Sequence, residues 1–571
     1  MFRSLKYLKK YRLESFFAPL FKLTEALLEL LVPFVIRDLI DKGIGMNDSS
    51  YIISHALLLA GLSLVGLGFS ITAQYFAAKA SVGFACVLRH ELMSHIGTLS
   101  HTELDELGTS QLITRMTSDI NQVQTGVNMT LRLLLRSPFV VFGAMICAFT
   151  IDVHTAMIFV YTTVLLFIVV FAVMLTCIPL YKKAGAALDR TAGITRENLN
   201  GTRVIRAFGI EEKEIGDFRT ANDALTKIQI FTGRISVLLN PVTFLIINLA
   251  IIWLIHRGAL QVGAGVLTQG AVVALYNYMS QILVELIKLA SLIITITRAI
   301  ACGHRVDAML ETKNSLVSGK LRTVDENADA VRFDDVTFTY KNAGESSVED
   351  IAFTVKKGET VGVIGGTGSG KSTAINLIPR FYDVTKGSVS VFGSDVKEYD
   401  VEFLRSMIGL VPQKAVLFEG TIEDNLRWGN EDATAEDMER ALETAQATDV
   451  VKAKGGLSAH IEAGGKNLSG GQKQRLTIAR ALLRSPRILI LDDSASALDL
   501  ATDARLRKAL SELDGDMTVM IVSQRISSII NADRIIVFDD GRIVGIGTHD
   551  ELMKGCEVYR ETASSQGYEG A

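Results

Sequence analysis

The chain has 571 residues, with 58 Lys plus Arg against 62 Asp plus Glu and a formal net charge of −4. That balance offers no basic surface for nucleic acid, and a mean hydropathy of +0.30 excludes a wholly soluble protein, because the apolar residues are concentrated ahead of about residue 300. The five cysteines, Cys86, Cys147, Cys177, Cys302 and Cys556, form no CxxC pair, so buried thiols are expected rather than disulfides or a metal centre.

From the N-terminus, Met1 to Arg12 is basic and amphipathic and reads as an interfacial helix. Six apolar stretches follow, at 14–40, 53–80, 130–151, 155–180, 235–257 and 268–297, each near the roughly 20 helical residues that a bilayer core requires. The first is interrupted by Lys22, Glu25 and Glu29 at helical spacing. These charges either share a face towards other helices or a watery cavity, or Lys22 and Glu25 snorkel to an interface.

Lys and Arg set the orientation. They crowd the N-terminal segment and the connection between the fourth and fifth spans, whereas the turn Asp152-Val153-His154 has neither. Both termini and the two long connections are therefore expected on the cytoplasmic side of a cell membrane. Each connection is helical, with a short polar piece near its middle, at 101–108 and at 207–213. The spacing predicts two struts whose tips press on a cytoplasmic domain. The expected organisation is a transmembrane domain over 1–310, a polar linker over 311–328 and a soluble α/β domain over 329–571.

In that last domain an apolar strand, Thr360 to Ile364, runs into Gly365-Gly366-Thr367-Gly368-Ser369-Gly370-Lys371-Ser372-Thr373. This is GxxxxGKS between a strand and a helix, whose backbone N–H groups cradle phosphates while the lysine neutralises them and the serine ligates Mg²⁺. A second apolar strand ends in Asp492, placed to hold Mg²⁺ through water. Between the two lies Leu468-Ser469-Gly470-Gly471-Gln472, opening a helix.

LSGGQ at this distance from a phosphate loop resembles the ATP-binding cassette (ABC) proteins. The resemblance spans nearly the whole chain and implies a half-transporter of the type IV exporter class: a six-helix membrane domain plus a C-terminal α/β P-loop cassette. It implies that Gln413 is the Q-loop glutamine and a further metal contact, that Asp499 belongs to the D-loop, and that Gln524 occupies the switch-histidine position. Tyr340 falls where the family stacks an aromatic on adenine, although it also fits an ordinary sheet aromatic. Each ATP in the family lies between one cassette's phosphate loop and the other's LSGGQ.

The chain departs from the family at two positions: Asp493 stands where a water-polarising Glu is usual, and Gln524 where a His contacts the γ-phosphate. The shorter carboxylate misplaces the water by about 1 Å, enough to cost on the order of 10²-fold, and a neutral amide stabilises the transition state less well than an imidazole. The expectation is firm ATP binding with poor hydrolysis. A second half-transporter with the usual Glu and His would then form a heterodimer with this chain, which supplies LSGGQ to the partner's active site. The expected cargo is small hydrophobic or amphipathic compounds, exported by a bacterial cell, with lipid or peptide export and an ATP-gated channel as alternatives. Phe139, Phe142, Tyr276 and Tyr278 suit such cargo, or simply pack among helices and lipid.

Overall fold

The computed structural model describes residues 3–341, 343–513 and 517–568. They form two units, one of residues 3–95 and 110–312 and the other of residues 96–109 and 313–568.

The first unit is built from very long helices because lipid satisfies no backbone polar group, so each spanning segment must bond within itself. In chain order the helices up to residue 311 are α1 (Arg12–Asp38), α2 (Ser49–Thr98), α3 (His101–Leu107, a part of the second unit), α4 (Thr109–Ile151), α5 (Val153–Asn200), α6 (Thr202–Phe208), α7 (Glu211–Gly263) and α8 (Gln269–Glu311). Ahead of α1, Arg3–Tyr11 winds as a 3-10 helix with Lys9 and Lys10 in its last turn.

Among the described residues, five helices (α2, α4, α5, α7 and α8) are long and apolar enough to cross a membrane. The 27-residue α1 falls outside that set, as its charges lower the mean hydropathy, yet those charges turn inward. Lys22 is buried, donates to Glu25 at 2.5 Å and reaches Ser70 of α2 at 3.3 Å, so it faces a neighbouring helix rather than an interface.

Small residues let the helices approach: a Cβ on Gly126 of α4 would come within 2.2 Å of Ala299 Cβ on α8. The buried cluster of Ala26, Leu30, Val140, Phe159, Leu254 and Met279 is joined by Tyr278, whose hydroxyl donates to the Leu30 carbonyl at 2.7 Å. Tyr278 is therefore a packing residue, whereas Phe142 and Tyr276 are exposed. Asp152 caps α5 by accepting from Thr155 N at 2.6 Å.

Among the described residues the second unit holds two large sheets and a two-stranded ribbon that pairs Gly420–Thr421 with His460–Ile461. The four-stranded antiparallel sheet has the order β2-β1-β4-β5, from β1 (Val331–Phe338), β2 (Val348–Val355), β4 (Lys386–Val391) and β5 (Ser394–Asp395). The six-stranded sheet has the order β10-β9-β3-β8-β7-β6 and uses β3 (Thr360–Gly365), β6 (Ile408–Val411), β7 (Ile488–Asp492), β8 (Thr518–Val522), β9 (Arg534–Asp539) and β10 (Arg542–Gly547). All its pairs are parallel except β9 with β10. Strands β7 and β8 are buried along their whole length, as parallel strands covered on both faces must be. Loops at the carboxyl ends of β3, β7 and β8 thereby converge, the usual place for a ligand in an open parallel sheet.

Residues 96–109 belong to this second unit. Helix α3 is nucleated by a capping box between Ser100 and Glu103, and Gly108 at φ 70° ends it. The second short helix, α6, lies earlier than the polarity of 207–213 suggests. It covers Thr202–Phe208 and is stopped by Gly209 at φ 62°.

Candidate functional site: a phosphate loop and a signature helix

The phosphate loop connects β3 to α9 (Lys371–Leu377). Gly370 carries φ 92°, and a Cβ there would meet the Ser347 carbonyl at 2.6 Å, so only glycine fits. The Lys371 ammonium folds back over the loop and donates to the carbonyls of Gly365 and Gly366 at 2.8 and 2.6 Å and to Ser369 Oγ at 3.1 Å. Burial pulls the Lys371 pKa below the ordinary lysine value, with the charges of Asp493 and Asp492 opposing that pull. A pocket opens over Gly368 to Thr373 and is closed on its other sides by Gly344 to Ser347 and by Asp540 and Gly541.

Ser372 donates to Asp492 Oδ1 at 3.0 Å. A hydroxyl and a carboxylate side by side are the hard oxygen donors that Mg²⁺ takes when phosphate and water complete its shell. Among the described residues no group of three His, Cys, Asp or Glu could hold a metal alone, so this donor pair fits an ion arriving with a nucleotide. Burial pushes the Asp492 carboxyl above the usual aspartate range, and the neighbouring Asp493 charge adds to this, while Ser372 and Lys371 oppose it.

Asp493 follows immediately, with its N–H donating to the Val522 carbonyl at 2.9 Å and its side chain accepting from Gln413 Nε2 at 3.3 Å. Its φ is 44°, a left-handed conformation that Asp and Asn adopt more readily than other side chains. The short carboxylate thus suits its backbone. Tyr340 lies beside the loop: its hydroxyl is 3.3 Å from Thr373 Oγ1, and its ring meets Phe338 and Tyr382 edge-on.

The LSGGQ residues open α10 (Gly470–Leu482). Ser469 is its N-cap: Ser469 Oγ accepts from Gln472 N at 3.3 Å and Gln472 Oε1 from Ser469 N at 2.9 Å, a capping box that satisfies two otherwise orphaned donors. Leu468 is buried and anchors the turn. A Cβ on Gly471 would meet the Ala497 carbonyl at 2.9 Å, which explains the small residue. Further along α10, Gln474 donates to the Pro412 carbonyl at 3.4 Å, tying the helix to the segment carrying Gln413.

Two families match: "ABC transporter transmembrane region" over residues 15–286 and "ABC transporter" over residues 348–496. An "Uncharacterized ABC transporter ATP-binding protein MT1311" of Mycobacterium tuberculosis (strain CDC 1551 / Oshkosh) is 36% identical over 98% of this chain and 97% of its own length. The chain belongs to the ABC transporter family.

Another family member, the "Putative multidrug export ATP-binding/permease protein YgaD" of Bacillus subtilis (strain 168), is 31% identical over 99% of both chains. The structure of a bacterial Atm1-family ABC exporter with ATP bound superposes with a TM-score of 0.81 over 99% of each chain, at 22% identity. The fold is therefore that of an ABC exporter half-transporter, a multi-pass membrane protein whose transport is coupled to an ATPase.

Several supports of the ABC site carry no motif. Arg525, next to Gln524, donates to the carbonyls of Ala495, Ser496 and Leu498 at 3.2 to 3.4 Å, clamping the turn that ends at Asp499. Asp499 itself caps α11 (Leu500–Ser511) by accepting from Thr502 N at 2.8 Å. Gln566, just past α12 (Glu557–Ser565), accepts from Ile526 N and donates to the Gln524 carbonyl, both at 2.8 Å. One side-chain amide thereby pins the backbone of the switch segment.

Helix α3 docks within the same unit. His101 stacks on Phe381 at 4.3 Å, Tyr382 donates to Asp105 at 2.6 Å, and Lys341 pairs with Glu106 at 2.7 Å. In contrast, no residue of α6 is buried.

Proposed function

We propose that this chain is the degenerate-site subunit of a heterodimeric exporter of hydrophobic or amphipathic compounds. The observation that carries the reading is the pairing of a shortened, backbone-fitted carboxylate at Asp493, held by Gln413 at 3.3 Å, with an intact signature helix whose cap residue Ser469 is exposed. The first weakens hydrolysis on this chain's own loop. The second leaves a helix N-terminus free to meet the phosphates of a nucleotide held by another cassette.

In this reading ATP binds to residues 365–373 with its adenine on Tyr340, and Lys371 exchanges its loop carbonyls for phosphate oxygens. Mg²⁺ would be held by Ser372, by Asp492 and through Gln413, and when bound it neutralises phosphate charge. Asp493 is one methylene too short to place the attacking water, and Gln524 brings no charge to the γ-phosphate. A partner carrying Glu and His at those positions hydrolyses its ATP against Ser469–Gln472 of this chain. Closure of the cassettes moves the tips at α3 and α6, and with them the spans. The exposed Phe208 on α6, 75% accessible, suits a seat on that second chain. The YgaD name supports a multidrug cargo.

The test is purification of the chain alone and with its genomic neighbour. Uphill, ATP-dependent accumulation of an amphipathic dye in inverted vesicles is expected only for the pair. A homodimer of this chain with robust transport-coupled ATPase activity overturns the heterodimer, and accumulation of lipid or peptide instead of dye overturns the cargo.

A further inference from the structure

The membrane unit buries a set of charges that hydropathy alone does not reveal. Arg136 of α4 is 6% exposed and donates to Glu285 of α8 and, at 2.6 Å, to Glu29 of α1. Glu285 is 3% exposed and also accepts from Ser137 at 2.7 Å and Lys288 at 2.9 Å. Arg136 and Glu285 lie roughly 22–24 Å along their helices from the ends at Ile151 and Gln269, at about 1.5 Å per residue. That places them inside a hydrocarbon core about 30 Å thick, where ionisable groups are costly and mark a working site.

The two carboxylates differ in what is left over. Glu285 is enclosed and surrounded by donors, so it serves packing. The Glu29 side chain remains 41% exposed, and one of its carboxylate oxygens accepts from Arg136. It lines a cavity of about 290 Å³ between α1 and α8, together with Val32, Ile36 and Val284 as apolar wall and Gln281 and Asn277 as polar wall. Gln281 Oε1 is buried and has no hydrogen-bond partner among the described residues. The cavity thus sets the exposed part of the Glu29 carboxylate, whose other oxygen is held by Arg136, against an aliphatic wall. Drug-sized pockets run from about 300 Å³ upwards, so this one holds a head group.

We infer that the cavity at Glu29 is a subsite for the cationic head of an amphipathic organic cation, with Glu29 supplying the charge and the aliphatic wall receiving the body next to it. This rests on the export reading above but specifies its cargo.

The probe is ethidium, an aromatic cation with N–H donors, set against the uncharged dye Nile red, with binding measured by fluorescence polarisation on the full-length chain in detergent. Glu29→Gln should weaken ethidium on the order of tenfold or more and leave Nile red within about twofold. Glu29→Asp keeps the charge and should retain the preference for ethidium, which separates loss of charge from loss of fold.

Undiminished ethidium binding by Glu29→Gln, or an equal loss of both dyes, overturns the subsite. Inverted vesicles carrying the chain with its second chain separate the two readings. Glu29-dependent binding without accumulation sinks export and keeps the subsite; accumulation insensitive to Glu29→Gln keeps export and sinks the subsite.

Discussion

Two helix N-termini in the cassette unit, each suited to an anion, are built in opposite ways. At the phosphate loop the cation is buried and turned back on the loop's own carbonyls, and the carboxylate beside it is Asp493, short and left-handed. At the signature helix the cap is an ordinary Ser469–Gln472 box, exposed and unaltered. The two ends can therefore diverge independently: one can lose its water-polarising group while the other keeps everything it offers to a second cassette.

The sharpest way to break that comparison is to damage each end in turn. Gly471→Glu crowds the Ala497 carbonyl and sets a negative charge at the cap. It should cost the two-chain assembly about 10²- to 10³-fold in turnover. Lys371→Ala should lower this chain's own nucleotide affinity about 10²-fold and leave turnover within about tenfold. Phosphate release and site-resolved nucleotide binding check both, and the opposite order would dissolve the asymmetry.

Restoring the phosphate-loop end is the next test. Asp493→Glu with Gln524→His should raise single-turnover hydrolysis at this site by about 10²-fold or more. A smaller gain is expected if the left-handed backbone at 493 misdirects the longer side chain, and no gain would remove the exchange as the cause.

A third test uses pH. Burial raises the Asp492 carboxyl, so the ATP-free site holds its proton to a higher pH than an ordinary aspartate, and an incoming Mg²⁺ must displace it. Mg²⁺-dependent tightening of nucleotide binding should accordingly rise with pH and fade as pH falls, with its midpoint above that of an ordinary aspartate. Asp492→Asn should flatten that dependence, as a titration of nucleotide affinity with and without Mg²⁺ would record.

The smallest effect concerns the Gln566 latch. Each of its two hydrogen bonds is worth about 0.5–1.5 kcal/mol, and the side chain is exposed, which favours the low end. Gln566→Ala should speed amide exchange at Ile526 about three- to tenfold. Gln566→Glu keeps the acceptor for Ile526 N and should restore part of the protection; unchanged exchange in both would show that the switch segment does not lean on this helix.

What the sequence disclosed follows from how local each feature is. Residues 365–373 and 468–472 perform their task as contiguous backbone, so their pattern is their geometry. Asp493 and Gln524 stand out only against such a pattern. Gln566 and Arg525 act by contacting carbonyls 27 to 42 residues away, and nothing in their neighbourhood marks them. Arg136 was hidden for another reason: an 18-residue average absorbs one charge in a segment as apolar as α4. The seat of α3 escaped too, since His101, Asp105 and Glu106 meet partners at 341, 381 and 382 that only the folded sheet presents. The left-handed φ at 493, which gives a backbone reason for Asp, is likewise invisible in a string of letters.

Helix α6 has one further consequence, for biogenesis. Its Val204 and Phe208 are 57% and 75% exposed, and it joins two long helices, α5 of 48 residues and α7 of 53. On the heterodimer reading proposed above, a copy synthesised ahead of its partner would carry an apolar knob in water, which pairing would hide. Subunit stoichiometry would then be written on the surface of the orphan, in a form that any chaperone or protease selective for exposed aromatics could read.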